Sequence, residues 1–204
     1  MSDVQQAIAQ IADIRAQLAA STRFRGYAPE AVGMIGLLSL LVVVMQIVWP
    51  GRFAASDWQI AITWGLLLAG GCAAIAIEAI VHTLRENDGM ASPMLFSAMR
   101  LVLPAFAVSA AVGGAVLTYA PQVTWILPGF WQMMIGFVAF ASYSSLPRNI
   151  IWPAAWCLLS GAVGLFLAGH HGSLTPLMAG GPIVVGHLAI AWVISDKERI
   201  PHGG

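Results

Sequence analysis

Glu78 and His82 stand four residues apart inside one apolar stretch, Trp58–Leu84, WQIAITWGLLLAGGCAAIAIEAIVHTL. At that spacing both side chains share one face of a helix. Ionisable groups inside an apolar span are costly, so each marks either a paired structural group or a place of chemistry. Arg100 and His187 fall at comparable positions in other apolar stretches, and Gln132 lies deeper in a further one. A buried Glu beside His is the chemistry of proton relays and cation paths, because both change charge near neutral pH once their surroundings shift them. Glu78, His187, Arg100 and Gln132 are therefore the candidate binding and translocation residues, with Arg100 as counter-charge and Gln132 deeper on the path. A second chemistry draws on the same neighbourhood. Glu78, His82 and His187 have the donor types for a transition metal, and His82 with His187 could be axial ligands of haem. A third reading is structural, a Glu78–Arg100 ion pair with His187 hydrogen-bonded to a neighbour. No cofactor is the leading expectation, with haem or a transition metal as the alternative.

Other chemistries find no pattern. Gly-x-Ser-x-Gly and His-Glu-x-x-His are absent, and Gly113-Gly114 and Gly180-Gly181 lie in apolar runs with no Lys after them. The reading leans away from an enzyme. Cys72 and Cys157 are too few for a disulfide framework or a four-ligand zinc site, and both read as buried thiols. His170-His171 reads as an exposed turn, and Arg52 with Asp57 as a solvated pair across the first outer turn.

The elements that position these residues follow from composition. Of 204 residues 59% are hydrophobic and 9% charged, with a mean hydropathy of +0.81. Soluble domains carry about 25% charge. This much apolar surface needs lipid as its solvent, and a net charge of +0 leaves no basic block for nucleic acid. The expected fold is all-α, a polytopic integral membrane protein of six transmembrane helices in three hairpins, preceded by an amphipathic helix. The spans are expected near Ala31–Trp49, Trp58–Leu84, Ala98–Tyr119, Gln122–Leu146, Ile150–Gly169 and Leu174–Ser195, with about 20 residues per crossing. Pro50-Gly51, Glu86-Asn87-Asp88-Gly89, Ala120-Pro121, Leu146-Pro147-Arg148 and His170–Ser173 carry the turn chemistry between them.

Charge sets the orientation. With a cytoplasmic N-terminus, every Lys and Arg except Arg52 falls on the cytoplasmic side, as the positive-inside rule requires. Both termini are then cytoplasmic. Counted from that side at about 1.5 Å per residue, Glu78 lies roughly 9 Å deep and His187 roughly 12 Å deep. His82 and Arg100 lie within a turn of the surface, and Gln132 near mid-membrane.

The N-terminal segment repeats apolar residues at Val4, Ala7, Ile11, Ile14 and Leu18, the a and d spacing of a heptad. A face lined by Gln and a single Arg suits a partner helix better than a lipid surface. Val4, Ile11, Ile14 and Leu18 are thus candidate docking residues for a cytoplasmic or membrane protein, and an accessory, non-catalytic subunit is a further reading. Arg23–Tyr27, RFRGY, is an interfacial anchor. Residues 1–25 lack the plan of a cleaved signal peptide, so the first span is expected to serve as its own targeting signal. The organisation is residues 1–26 as helix and anchor, 27–196 as the transmembrane domain, and 197–204 as a cytoplasmic tail. Small-residue faces such as Gly70-Gly71, Gly113-Gly114, Gly161 with Gly164, and Gly180-Gly181 with Gly186 mark close helix packing and point to a homo-oligomer.

At Trp125–Gln132, WILPGFWQ, and Ser145–Arg148, SLPR, taken with Glu78 in the second span, the chain resembles a family of small six-helix bacterial inner-membrane proteins of no assigned activity. The resemblance runs from the amphipathic N-terminus to the sixth span. It implies the six-helix topology and a bacterial inner membrane, and it carries over no catalytic or binding residue.

Overall fold

A computed structural model describes residues 29–86, 91–143, 146 and 148–196. The expected amphipathic helix with Val4, Ile11, Ile14 and Leu18, the RFRGY anchor and the tail lie outside the described residues. Within them the chain is all-helical, with no strand. Six helices carry the fold: α1 Pro29–Val48, α2 Asp57–Glu86, α3 Ala91–Tyr119, α4 Ile126–Ala141, α5 Ile151–His171 and α6 Pro176–Asp196. Five of them, all but α4, are long and apolar enough to cross a membrane. At 16 residues α4 is shorter than the expected Gln122–Leu146 span. Its N-terminal side is extended by a 3-10 turn at Pro121–Val123 and by Thr124 and Trp125, which hold right-handed helical angles.

The local chemistry explains where helices start and stop. α2 opens on Ser56, whose Oγ accepts from Gln59 N–H at 3.2 Å, while Gln59 Oε1 accepts from Ala55 N–H at 2.9 Å. Two of the orphan donors at a helix start are thereby satisfied. α6 opens on Thr175-Pro176, with Thr175 Oγ1 accepting from Met178 N–H at 3.2 Å. Proline is harmless in a first turn, where its missing N–H would have had no partner. α5 ends on Gly172, whose φ of 67° is the left-handed region, with its N–H donating to Ala168 O at 2.8 Å. His170 and His171 are the last turn of that helix, not a loop, with both side chains exposed.

The turns before α2 and α6 are tied together by a hydrogen bond that the solvated-pair reading did not foresee. Asp57 does not pair with Arg52. Its Oδ1 accepts from Leu174 N–H at 3.0 Å, which clips the start of α2 to the turn between α5 and α6. Arg52 instead lies over the Phe53 ring, 5.7 Å from its centroid. The carboxylate is drawn away because the Leu174 N–H, just before α6, needs an acceptor and Asp57 is the one in reach.

Packing is heaviest between α4 and α5 and between α1 and α6, with α5 on α6 next. The first two of these pairs are not the ones joined by the short turns at 49–56, 120–125 and 172–175. α1 and α6 run antiparallel: a methyl added at Gly33 would meet Ala191, one at Gly36 would meet Leu188, and one at Gly180 would meet Val43 and Trp64. α4 and α5 approach at backbone contact. A methyl at Gly129 would come 2.9 Å from Gly161 O, one at Gly161 2.7 Å from Gly129 O, and one at Gly136 2.8 Å from Ala154 O. Gly129 and Gly136 are seven apart, as are Ala154 and Gly161, so each pair lies along one seam. In three of the expected small-residue sets one member meets a neighbour and the other does not: Gly71, Gly113 and Gly161 are in contact, while Gly70, Gly114 and Gly164 face open space; in the fourth, Gly180 and Gly186 both meet neighbouring helices.

The α1 seam is unusual in its polarity. Ser39 and Gln46, a turn to either side of Val43, are both 0% exposed. Ser39 Oγ and both amide atoms of Gln46 have no hydrogen-bond partner among the described residues. An unbonded buried polar group costs about 1–3 kcal/mol. Gln46→Leu, which nearly conserves volume, is therefore expected to raise the thermal midpoint in detergent by about 2–6 °C. A midpoint that stays level or falls would overturn that assignment.

Candidate functional site

Between α2, α3 and α4, and closed behind by α1 and α6, lies a cavity of about 430 Å³. That size is within the roughly 300–1,000 Å³ range of small-molecule sites. Its walls are small or apolar along helical stripes: Gly65, Ala69, Cys72 and Ala76 on α2, Ala105, Ser109 and Gly113 on α3, and Trp131, Ile135 and Val138 on α4. Its rim includes Leu66 and Phe106, which are exposed, so it opens at the outward face of α2 and α3. These two helices touch the rest of the bundle more sparingly than the others, which leaves the space between them unfilled.

One end is set by Trp131. Its indole sits between two glycines, 2.9 Å from where a methyl on Gly65 would stand and 3.0 Å from one on Gly113. Its Nε1–H donates to Ser109 O at 3.2 Å. The missing side chains at Gly65 and Gly113 are what admit a ring of this size between α2 and α3.

The polar side chains of the wall are few. Ser109 Oγ donates to Ala105 O and Trp131 Nε1 donates to Ser109 O, so neither has a donor left for a ligand. Cys72 is exposed, contrary to the buried-thiol reading, while Cys157 is buried away from this cavity. His187, 7% exposed, lines the cavity from α6. Its Nδ1 lies 2.9 Å from Ile183 O.

The expected cluster does not assemble as one site. His187 stands near the middle of the apolar stretch of α6, about 17 Å along the helix from Pro176 and about 12 Å from Ser195. Gln132 is buried on α4 and faces α5 and α6. Its Nε2 donates to Ser160 Oγ at 3.3 Å and lies 3.7 Å from where a methyl on Gly186 would stand, and its Oε1 has no partner. It does not line the cavity. Glu78 and Arg100 are both exposed, and no ion pair joins them. The depth reasoning changes with the observed helix ends. The apolar part of α2 runs from Asp57 to Val81, so Glu78 lies within a turn of its end. From Asp57 it is about 32 Å along the helix, and Arg100 is about 29 Å from Tyr119, both close to the thickness of a hydrocarbon core of about 30 Å. In a bilayer spanned by these helices a charge at such an end would meet headgroups and water and would need no partner. The side chain of His82 lies outside the described residues, and among those described no three His, Cys, Asp or Glu stand together as metal ligands.

What sequence reasoning missed is the pair Gly65 and Gly113 around Trp131, and the buried Ser39 and Gln46. Period and composition carried no signal for either, because α1 and α2 are apolar on every side. No family model, curated protein or solved structure matches this chain. Among the described residues the fold and the site define an all-helical protein with five helices able to span a membrane, arranged around an apolar cavity with the buried His187 in its wall.

Proposed function

We propose that the protein is a six-span, transporter-like membrane protein that takes an uncharged hydrophobic molecule from the bilayer into the cavity between α2 and α3. The observation that carries this is the cavity of about 430 Å³, which has no charged side chain in its lining among the described residues and exposed apolar residues at its rim. In lipid such a rim faces acyl chains, so an apolar ligand enters without crossing water. An ion or proton path is the weaker reading, because Glu78, Arg100 and Gln132 do not share the cavity with His187.

The antiparallel packing of α1 on α6 supports an even number of crossings with both termini on one side. The distribution of Lys and Arg supports the cytoplasm as that side, and α4 with its preceding turns serves as the sixth span. A bacterial inner membrane rests on the resemblance, a homo-oligomer on the small residues left open at Gly70, Gly114 and Gly164, and a protein partner on the N-terminal heptad.

The test is photo-labelling in liposomes with a long-chain alkane that carries a diazirine. Labelling should saturate, map to cavity residues on α2 and α3, and fall about tenfold in Ala76→Trp, the equivalent of about 1.4 kcal/mol of lost binding. Labelling spread evenly over lipid-facing residues such as Leu159 and Phe166, and unchanged in that variant, would sink the reading.

A further inference from the structure

We propose that the occupant of this cavity is an alcohol, an uncharged apolar molecule whose hydroxyl donates to His187 Nε2 midway across the membrane. The inference rests on the cavity reading above and narrows it to one ligand chemistry. A carbonyl oxygen only accepts, so the 2.9 Å contact with Ile183 O places the hydrogen on His187 Nδ1. In the uncharged ring that leaves Nε2 as a bare acceptor. It has no protein partner among the described residues, although the residue is 7% exposed and lines the cavity. Nε2 keeps some accessible surface and opens onto a largely apolar wall, so within a bilayer a ligand hydroxyl is the donor that can satisfy it. A site built around such a bond discriminates strongly against the analogue that lacks the donor.

Depth selects the ligand further. His187 is near mid-span, with apolar wall on both sides of it, Trp131 toward one end and Ile194 toward the other. A phospholipid brings only acyl chain to that depth, with no donor. Among the described residues no charged side chain in the lining offers a counter-ion, which disfavours an ionised headgroup or a fatty acid anion at the depth of His187. A hydroxyl flanked by hydrocarbon, in a chain or on a ring system, satisfies both constraints.

The experiment uses the full chain in nanodiscs, with the diazirine alkane as reporter. Its competitors are a symmetrical long-chain secondary alcohol, its methyl ether and the parent alkane, compared at equal concentration in the membrane. In the wild type the alcohol should displace the reporter at least about tenfold better than the ether or the alkane. His187→Leu should bind all three alike, and His187→Gln, which keeps an acceptor, should restore part of the preference. Equal displacement by alcohol, ether and alkane in the wild type would overturn the hydroxyl assignment while leaving the cavity reading in place. Failure of all three to displace the reporter would overturn the cavity reading itself. The wild-type comparison needs no variant, so a substitution that fails to fold does not rescue the proposal.

Discussion

Gly161→Ala should unfold the bundle at a much lower temperature than Gly164→Ala, although both substitutions add one methyl to the same helix. A methyl at Gly161 would stand 2.7 Å from Gly129 O, 2.8 Å from Met133 Cγ and 3.0 Å from Met133 N. Two of those atoms are backbone, so relief requires α4 and α5 to move apart along their whole seam. Overpacking of this kind costs about 1–3 kcal/mol where side chains can yield, and here they cannot, so the upper end is expected. In lipid the close approach of backbones is itself what holds helices together, through dispersion and weak hydrogen bonds. A methyl at Gly164 meets nothing within 4 Å. That variant should gain up to about 1 kcal/mol from helix propensity. Thermal unfolding in detergent reads both, and equal midpoints for the two variants would refute the backbone seam.

Trp131→Ala is the second large effect expected. The ring fills the gap between α2 and α3 and belongs to the main core cluster with Trp64, Leu127 and Ile183. Removing a buried Trp side chain costs about 3–5 kcal/mol through lost contacts and the void left behind. Trp131→Phe, which keeps a ring and loses the bond to Ser109 O, should cost about 1 kcal/mol for the hydrogen bond. A double-mutant cycle makes the geometry specific. Gly65→Ala should destabilise the wild type, because its methyl would stand 2.9 Å from Trp131 Cη2. In the Trp131→Ala background the same change should be near neutral or favourable, giving a coupling of about 0.5–3 kcal/mol. Additive costs would mean that Gly65 does not hold the indole.

Both predictions concern residues whose type was visible and whose role was not. The runs Gly70-Gly71, Gly113-Gly114 and Gly161 with Gly164 announced close packing, yet only one glycine of each pair is at a contact. Adjacent residues point about 100° apart on a helix, so which one faces a neighbour depends on how the whole helix is rotated in the bundle. The same holds for the polar residues. Glu78 and Arg100 drew attention as charges within apolar stretches, but both stand where those stretches end. His187 drew attention as a titratable side chain within an apolar stretch; the structure buries it, and the cavity it lines could not be read from any one helix.

What the sequence determined by itself is the class of object. Hydrophobic runs of about 20 residues with few charges make helices long and apolar enough to cross a membrane, because in lipid the backbone must satisfy its own hydrogen bonds. Local chemistry also marked the ends, at Ser56 with Gln59, Thr175-Pro176 and Gly172. Only the tertiary structure decided the partners: α1 with α6, α4 with α5, Trp131 between Gly65 and Gly113, and His187 in the wall of the cavity. The physical reason is that helices apolar on all sides carry no stripe to orient them. Their rotation is chosen by which small residues let backbones meet and which large rings need room, and that choice is made by all six helices at once.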